Sequence, residues 1–206
     1  MLNGVILDVD GTVVRGDEAL PGARAGLDLL EDRGLRRLFV SNNPTKPAAA
    51  YEERFARAGF DVAAEEIVTA ATVTTAYLDR HHAGADHFVV GEDGLRDILS
   101  AAGVSVTADP AEATVLLASI DRAFDYETLC TAMRVLADDS VAFVGTDPDM
   151  IIPAAEGDIP GSGAVIHAIA GVAGRDPDIV LGKPSAPARE LVEARLGVDP
   201  RECLVV

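Results

Sequence analysis

The chain of 206 residues carries 17 basic against 34 acidic side chains, a net charge of −17, and 49% of it is hydrophobic. That length and apolar content make a folded protein of one large or two small domains, and the charge argues against nucleic acid and anionic membrane surfaces as partners. Only Lys46 and Lys183 among the cations are lysines, an arginine-for-lysine, acid-rich balance that resembles the proteins of a salt-accumulating halophile, where counterions screen a negative shell.

The first element is a strand, Val5 to Leu7, running into Asp8-Val9-Asp10-Gly11-Thr12. Asp and Gly at a strand end are ordinary turn chemistry, and a calcium loop opening at Asp8 would need Gly at its sixth and Glu at its twelfth position. Those positions are Val13 and Ala19, so the calcium reading fails. In an open α/β sheet ligands bind outside the carboxyl ends of the strands. Two acids there suit a nucleophile beside an acid/base on a metal-bound phosphate.

Apolar residues at helical spacing follow, Leu27 and Leu30 before Gly34, and then a second strand, Leu38 to Val40. Its end is Ser41-Asn42-Asn43-Pro44-Thr45-Lys46, which read alone is helix capping but which can also hold phosphate oxygens. Helices are predicted around Tyr51 and Phe55 before Gly59, with Pro47 in the first turn, and over Ala70 to Arg80. Strands at Phe88 to Val90, Val115 to Leu117 and Val141 to Val144 alternate with helical patterns at Leu95, Ile98 and Leu99, at Leu129, Met133 and Leu136, and at Val165, Ile166 and Ile169. The last strands, Ile179 to Leu181 and Cys203 to Val206, flank a helix with Pro187 in its first turn. Strand and helix alternating throughout is the α/β signature with a parallel sheet. Ser41 follows Asp8 by 33 residues, one strand-helix-strand unit, whereas the lysine of Gly182-Lys183-Pro184 lies 142 further on. A smaller α/β domain is therefore expected at 84–177, inserted into a core of 1–83 and 178–206.

Asp-x-Asp-Gly-Thr, Ser-Asn-Asn and Gly-Lys-Pro, in that order and at strand ends, resemble motifs one to three of the haloacid dehalogenase phosphatases. Ile120-Asp121-Arg122 with Tyr126, Gly145-Thr146-Asp147-Pro148-Asp149 and Pro160-Gly161-Ser162-Gly163 resemble the NagD-like, p-nitrophenylphosphatase subfamily. The likeness covers essentially the whole chain and implies a Rossmann-like core with an inserted C2-type cap. It implies that Asp8 attacks phosphorus and that Asp10 protonates the leaving oxygen and then deprotonates water. Mg²⁺ would sit on the Asp8 carboxylate and the Asp10 backbone carbonyl. Gly11, Thr12, Ser41, Asn42 and Asn43 would bind the substrate, Lys183 would neutralise charge, and Asp149 would face the site from the cap. The substrate implied is a small phosphorylated metabolite, a sugar phosphate, phosphoglycolate or nucleotide, with p-nitrophenyl phosphate as an artificial one. The likeness also allows a homodimer through the cap.

The sequence departs from the pattern at Asp147, where the family often has Asn, and the acids of a fourth motif are absent from these residues. That absence reads as a chain stopping short of its metal ligands, with impaired turnover expected of residues 1–206. Two rivals follow: an inactive binding or scaffold protein, and a receiver-type phospho-aspartate domain, which needs no domain-sized insertion. Ser162 reads as a helix N-cap. His81, His82, His87 and His167 have no metal-ligand spacing, and Cys130 and Cys203 no C-x-x-C. Without a basic-then-apolar leader, the cysteines fit a soluble protein of the reducing cytoplasm.

Overall fold

The computed structural model describes residues 1–154 and 157–206. In chain order the elements are β1 (Gly4–Asp8), the hairpin β2 (Val14–Arg15) and β3 (Glu18–Ala19), α1 (Ala23–Asp32), β4 (Arg36–Ser41), α2 (Ala48–Arg57), β5 (Ile67–Thr69) and α3 (Ala70–His81). Then come β6 (His87–Val90), α4 (Asp93–Ala101), β7 (Val106–Thr107), β8 (Val115–Ala118), α5 (Tyr126–Val135), β9 (Ala142–Gly145), β10 (Ile151–Ile152), β11 (Ile159–Pro160), α6 (Ser162–Ala173) and β12 (Ile179–Val180). The chain returns through α7 (Ala186–Leu196) to β13 (Cys203–Val205).

Two parallel sheets result. The first has the order β13-β1-β4-β5, and the second β12-β9-β8-β6-β7. In the first, Asp8 stands opposite Val40, and Ser41 opposite Thr69. The period of two along a strand sorts its residues to opposite faces. Val5 and Leu7 of β1 and Phe39 of β4 meet Leu27, Tyr51 and Phe55 of α1 and α2. Leu38 and Val40 turn the other way, onto Val73 and Leu78 of α3 and Val192 and Leu196 of α7. That second cluster continues without a break into Val89, Val115, Leu117 and Val144 of the second sheet. The far face of the second sheet, with Leu116, Ala118 and Phe143, is covered by Val135 of α5 and Val165, Ile166 and Ile169 of α6. Each fully buried large side chain contributes roughly 1.5–3 kcal/mol, so the shared middle layer holds the two sheets in a defined relation.

One strand departs from the sequence reading. Ile179–Val180 was expected to be the core's third chemistry-bearing strand, yet it pairs in parallel with Val144–Gly145 at the edge of the second sheet. The physical reason is tertiary. A two-residue apolar strand fits either sheet, and the Asp178 carboxylate and amide, bonded to the Phe143 amide and carbonyl at 2.7 and 2.8 Å, fix the choice. The first sheet instead gains β13 beside β1, its ladder extended by Val206 N–H to the Ile6 carbonyl at 2.9 Å. Pro47 stands one residue before α2 as its N-cap, and Pro187 is in the first turn of α7.

Candidate active site

β1 delivers Asp8 to the edge of the crevice because Val5, Leu7 and Val9 take the buried face, leaving the alternate side chain to turn away from it. The chain then reverses. Gly11 has φ +85°, and its N–H bonds the Val14 carbonyl at 2.9 Å while Val13 N–H bonds Val9 at 3.0 Å. β4 ends in the same place with Ser41, which is buried.

Lys183 reaches this point from the second sheet. Its ammonium donates to the Asp8 carboxylate and to the Val40 carbonyl, the latter at 3.4 Å. Each member of this ion pair is more than a third exposed, so it orients the groups more than it stabilises the fold. Backbone placement comes from Asn42. Its side-chain oxygen accepts the Lys183 N–H at 2.8 Å, and its amide group donates to the Lys183 carbonyl at 3.1 Å and to Asp149 Oδ1 at 3.2 Å. An amide has two donors, so Asn42's side chain is fully committed to protein and only its backbone N–H is left for a ligand. Gly182 is required here. It has φ +71°, and a Cβ would lie 3.0 Å from both Asn42 Oδ1 and the Asp147 Cβ.

The structure thus brings together Asp8, Ser41, Asn42, Asn43, Asp149 and Lys183. Asn43 N–H donates to Ser41 Oγ at 3.2 Å, and Asn43 Oδ1 accepts from the Thr45 amide at 2.8 Å. Asp10 is not tied to them. Its carboxylate accepts from Arg54 on α2 at 2.7 Å. The Thr12 side chain has no hydrogen-bond partner among the described residues.

Sequence reasoning missed two residues. Tyr51 is 1% exposed, and its hydroxyl lies 3.0 Å from Ser41 Oγ; burial pushes the phenol up to about 12, so it keeps its proton. Arg54 donates from Nε to the Gly16 carbonyl at 2.6 Å as well as to Asp10. The sequence marks Tyr51 as an apolar position of a helix, which it also is. The available signal was that Arg54, three residues on, lies on the same helix face as a buried Tyr.

The second sheet's strand ends form a polar hub beside the site. Asp147 is 2% exposed. Its oxygens accept the Asp149 N–H at 3.3 Å and lie 3.0 Å from Thr146 Oγ1, which is 2.9 Å from Ser119 Oγ. Burial raises this carboxyl to about 6, against the hydrogen bonds from Ser162 and Thr146. Ser162 is not the N-cap expected of it. Gly161 holds that place, and Ser162 Oγ accepts the Ile120 N–H at 3.0 Å.

An open cavity of about 530 Å³, lined by Gly91–Gly94, Arg96 and Asp121–Ala123, opens at the ends of β6 and β8. It adjoins the Ser41–Lys46 loop, since a Cβ on Gly94 would lie 2.6 Å from the Thr45 carbonyl. Another cavity, about 390 Å³, includes Arg36–Leu38 at the opposite end of β4. Its Arg36, Arg37 and Arg195 are bonded to protein acceptors. No helix among the described residues is long and apolar enough to cross a membrane.

Known proteins resemble this chain along nearly its whole length. A family model described as haloacid dehalogenase-like hydrolase matches residues 5–105. Sugar-phosphatase AraL of Bacillus subtilis is 31% identical over 203 residues, 98% of this chain and 74% of the relative. An acid sugar phosphatase of Staphylococcus epidermidis is 30% identical over 98% of the chain and 76% of its own length. Among solved structures, a p-nitrophenyl phosphatase from Archaeoglobus fulgidus superposes with TM-score 0.90 at 33% identity, covering 98% of this chain and 77% of that one. NagD from E. coli K-12 gives TM-score 0.86 at 27% identity, covering 99% and 78%. With two β-strand ends carrying Asp8 and Ser41, a lysine on the first of them, and relatives of this likeness along nearly its whole length, the chain belongs to the haloacid dehalogenase-like hydrolases, as a phosphatase.

Proposed function

We propose that the protein hydrolyses phosphorylated sugars with Mg²⁺ through a phosphoryl group carried on Asp8. The observation that carries this is the Lys183 ammonium seated on the Asp8 carboxylate where β1 and β4 end. It sets a cation against the nucleophile and offers that cation to an incoming dianion.

The donor set fits a hard divalent cation in kind. Among the described residues the second carboxylate oxygen of Asp8 and of Asp10 has no hydrogen-bond partner, and one or two carboxylates with substrate and water suffice for Mg²⁺. It is sparse in number, since no group of three or more ligating side chains occurs among those residues, so substrate oxygens and water would complete the ion's coordination. Asp8 and the Asp10 carbonyl would hold the ion, which would neutralise phosphoryl charge.

Asp8 oxygen forms a bond to phosphorus as the ester bond breaks, and the Asp10 proton passes to the leaving oxygen. Water then attacks phosphorus, the Asp8–phosphorus bond breaks, and Asp10 takes water's proton. Ser41 and the backbone N–H of Asn42 bind the transferring oxygens. The leaving sugar would occupy the cavity beside Thr45, whose Asp93, Asp121 and Arg122 supply partners for hydroxyls and whose size lies in the ordinary range for small ligands.

The division into a core of 1–83 and 178–206 with a cap at 84–177 remains part of this reading, with β12 lending its strand to the cap sheet. A cap-mediated dimer would use α5, where Tyr126 and Met133 are exposed. Unpaired Cys130 and Cys203 suit the cytoplasm.

The test is acid-quenched turnover of p-nitrophenyl phosphate and sugar phosphates with Mg²⁺, followed by peptide mapping. The phosphoryl group is expected on Asp8, with Asp8→Asn abolishing hydrolysis and leaving the fold unchanged. A phosphorylated residue elsewhere, or full activity in the variant, would refute it.

A further inference from the structure

We propose that Arg54 is the positioning residue of the acid–base group, fixing the direction of the Asp10 carboxylate for protonation of a poor leaving group. This rests on the reading of Asp10 given above. Asp10 is the exposed partner of the pair, with 55% of its side chain accessible, whereas Arg54 is 12% accessible. The guanidinium, not the acid, is therefore the anchored member.

Three contacts anchor it. Nε donates to the Gly16 carbonyl at 2.6 Å, Asp17 Oδ1 lies 3.9 Å from the same atom, and the guanidinium carbon stands 5.7 Å from the centre of the buried Tyr51 ring. Of the rest of the planar fork, Nη2 is aimed at Asp10 Oδ1 at 2.7 Å. Asp10 follows β1 in a tight reversal and has no other side-chain hydrogen bond among the described residues. Without Arg54 its carboxylate would be free to turn into solvent. One arginine also ties α2 to the β2–β3 hairpin through Gly16, so a single side chain links the acid, the hairpin and the helix. Tyr51 passes the same anchoring to Ser41. The inner face of α2 thereby sets the acid of one loop and the hydroxyl of the other.

Chemistry separates this from a merely structural staple. An alkoxide cannot leave without a proton, whereas p-nitrophenolate can, so a misdirected Asp10 harms alkyl esters selectively. The experiment measures kcat/KM for p-nitrophenyl phosphate and an alkyl phosphate with the unaltered protein, Arg54→Met, Arg54→Lys, Asp10→Asn and the Asp10→Asn/Arg54→Met double variant. Arg54→Met should lose roughly tenfold or more beyond its effect on the aryl ester, a fraction of what general acid catalysis supplies. Arg54→Lys should recover most of that difference, and in the Asp10→Asn background Arg54→Met should add no further discrimination between esters. Equal losses on both esters, no loss, or discrimination that persists without Asp10 would overturn the proposal. Absence of p-nitrophenyl phosphate hydrolysis by the unaltered protein would be seen before any variant is compared, and would overturn the phosphatase mechanism together with this refinement of it.

Discussion

The Thr146 hydroxyl has a single hydrogen but faces two oxygens, Ser119 Oγ at 2.9 Å and Asp147 Oδ2 at 3.0 Å. Both are satisfied if Asp147 carries a proton and donates to Thr146, which then donates to Ser119. That bonding agrees with the direction in which burial, and secondarily the Asp149 charge, push Asp147, to about 6. The sign of the linkage follows. An acid raised on folding keeps its proton while the unfolded chain has lost it, so its stabilising contribution is full below about pH 4. It is lost as pH rises to about 6 and stays level above that, a change of about 2–3 kcal/mol at most. Asp147→Asn supplies an N–H where the proton stood and does not titrate. In urea unfolding at a series of pH values, the variant should match the parent near pH 4 and gain on it up to about pH 6, by no more than that amount. Parallel curves for parent and variant would show that Asp147 is not the titrating group.

At the level of elements, α4 meets the phosphate loop through Gly94, where an added Cβ would lie 2.6 Å from the Thr45 carbonyl. Two effects compete in Gly94→Ala. Alanine gains up to about 1 kcal/mol in helix propensity, whereas overpacking against backbone costs about 1–3 kcal/mol. The steric term should win, lowering the thermal midpoint and, by displacing the Ser41–Lys46 loop, lowering kcat/KM for p-nitrophenyl phosphate about tenfold or more; a raised midpoint with unchanged turnover would show the loop yields freely. Period-two alternation in β1 and β4, helical stripes such as Leu95 and Leu99, and the chain order of Asp8, Ser41 and Lys183 are local patterns, and they point to the α/β class and to the residues that meet at the strand ends. The partner of β12 was not legible, because Ile179 and Val180 suit either sheet and the decision lies with Asp178 and Phe143, 35 residues apart. Arg54 was hidden for a related reason. A charged residue on an amphipathic helix ordinarily faces water, and only the folded chain brings it to Asp10, 44 residues away. Ser162 was misread because a serine beside a glycine at a helix start has one common use, and its actual partner, Ile120, comes from another strand end.

For the whole molecule the controlling quantity is the net charge of −17. It acts on stability and on substrate capture in the same direction, since like charges on the shell repel one another and repel a dianionic ester. Salt shortens the reach of both repulsions, from about 10 Å at 0.1 M to about 3 Å at 1 M. Exposed ion pairs such as Arg57–Asp17, at 3.0 Å, are screened as well, but pairs of that kind contribute only about 0–1 kcal/mol, so the release of shell repulsion should dominate. Raising KCl from 0.1 to 1 M is therefore expected to raise the thermal midpoint and to lower KM, with kcat nearly unchanged because the groups about Asp8 act at contact distance. Screening saturates once its length falls to a few ångströms, whereas strengthening of apolar burial by salt continues to grow. A midpoint that climbs steeply to about 1 M and then flattens marks the charge effect, while a steady linear rise would assign the benefit to the apolar core instead. A midpoint that falls, or a KM that increases with KCl, would mean that local ion pairs and the lysine at Asp8 outweigh the field of the acidic shell.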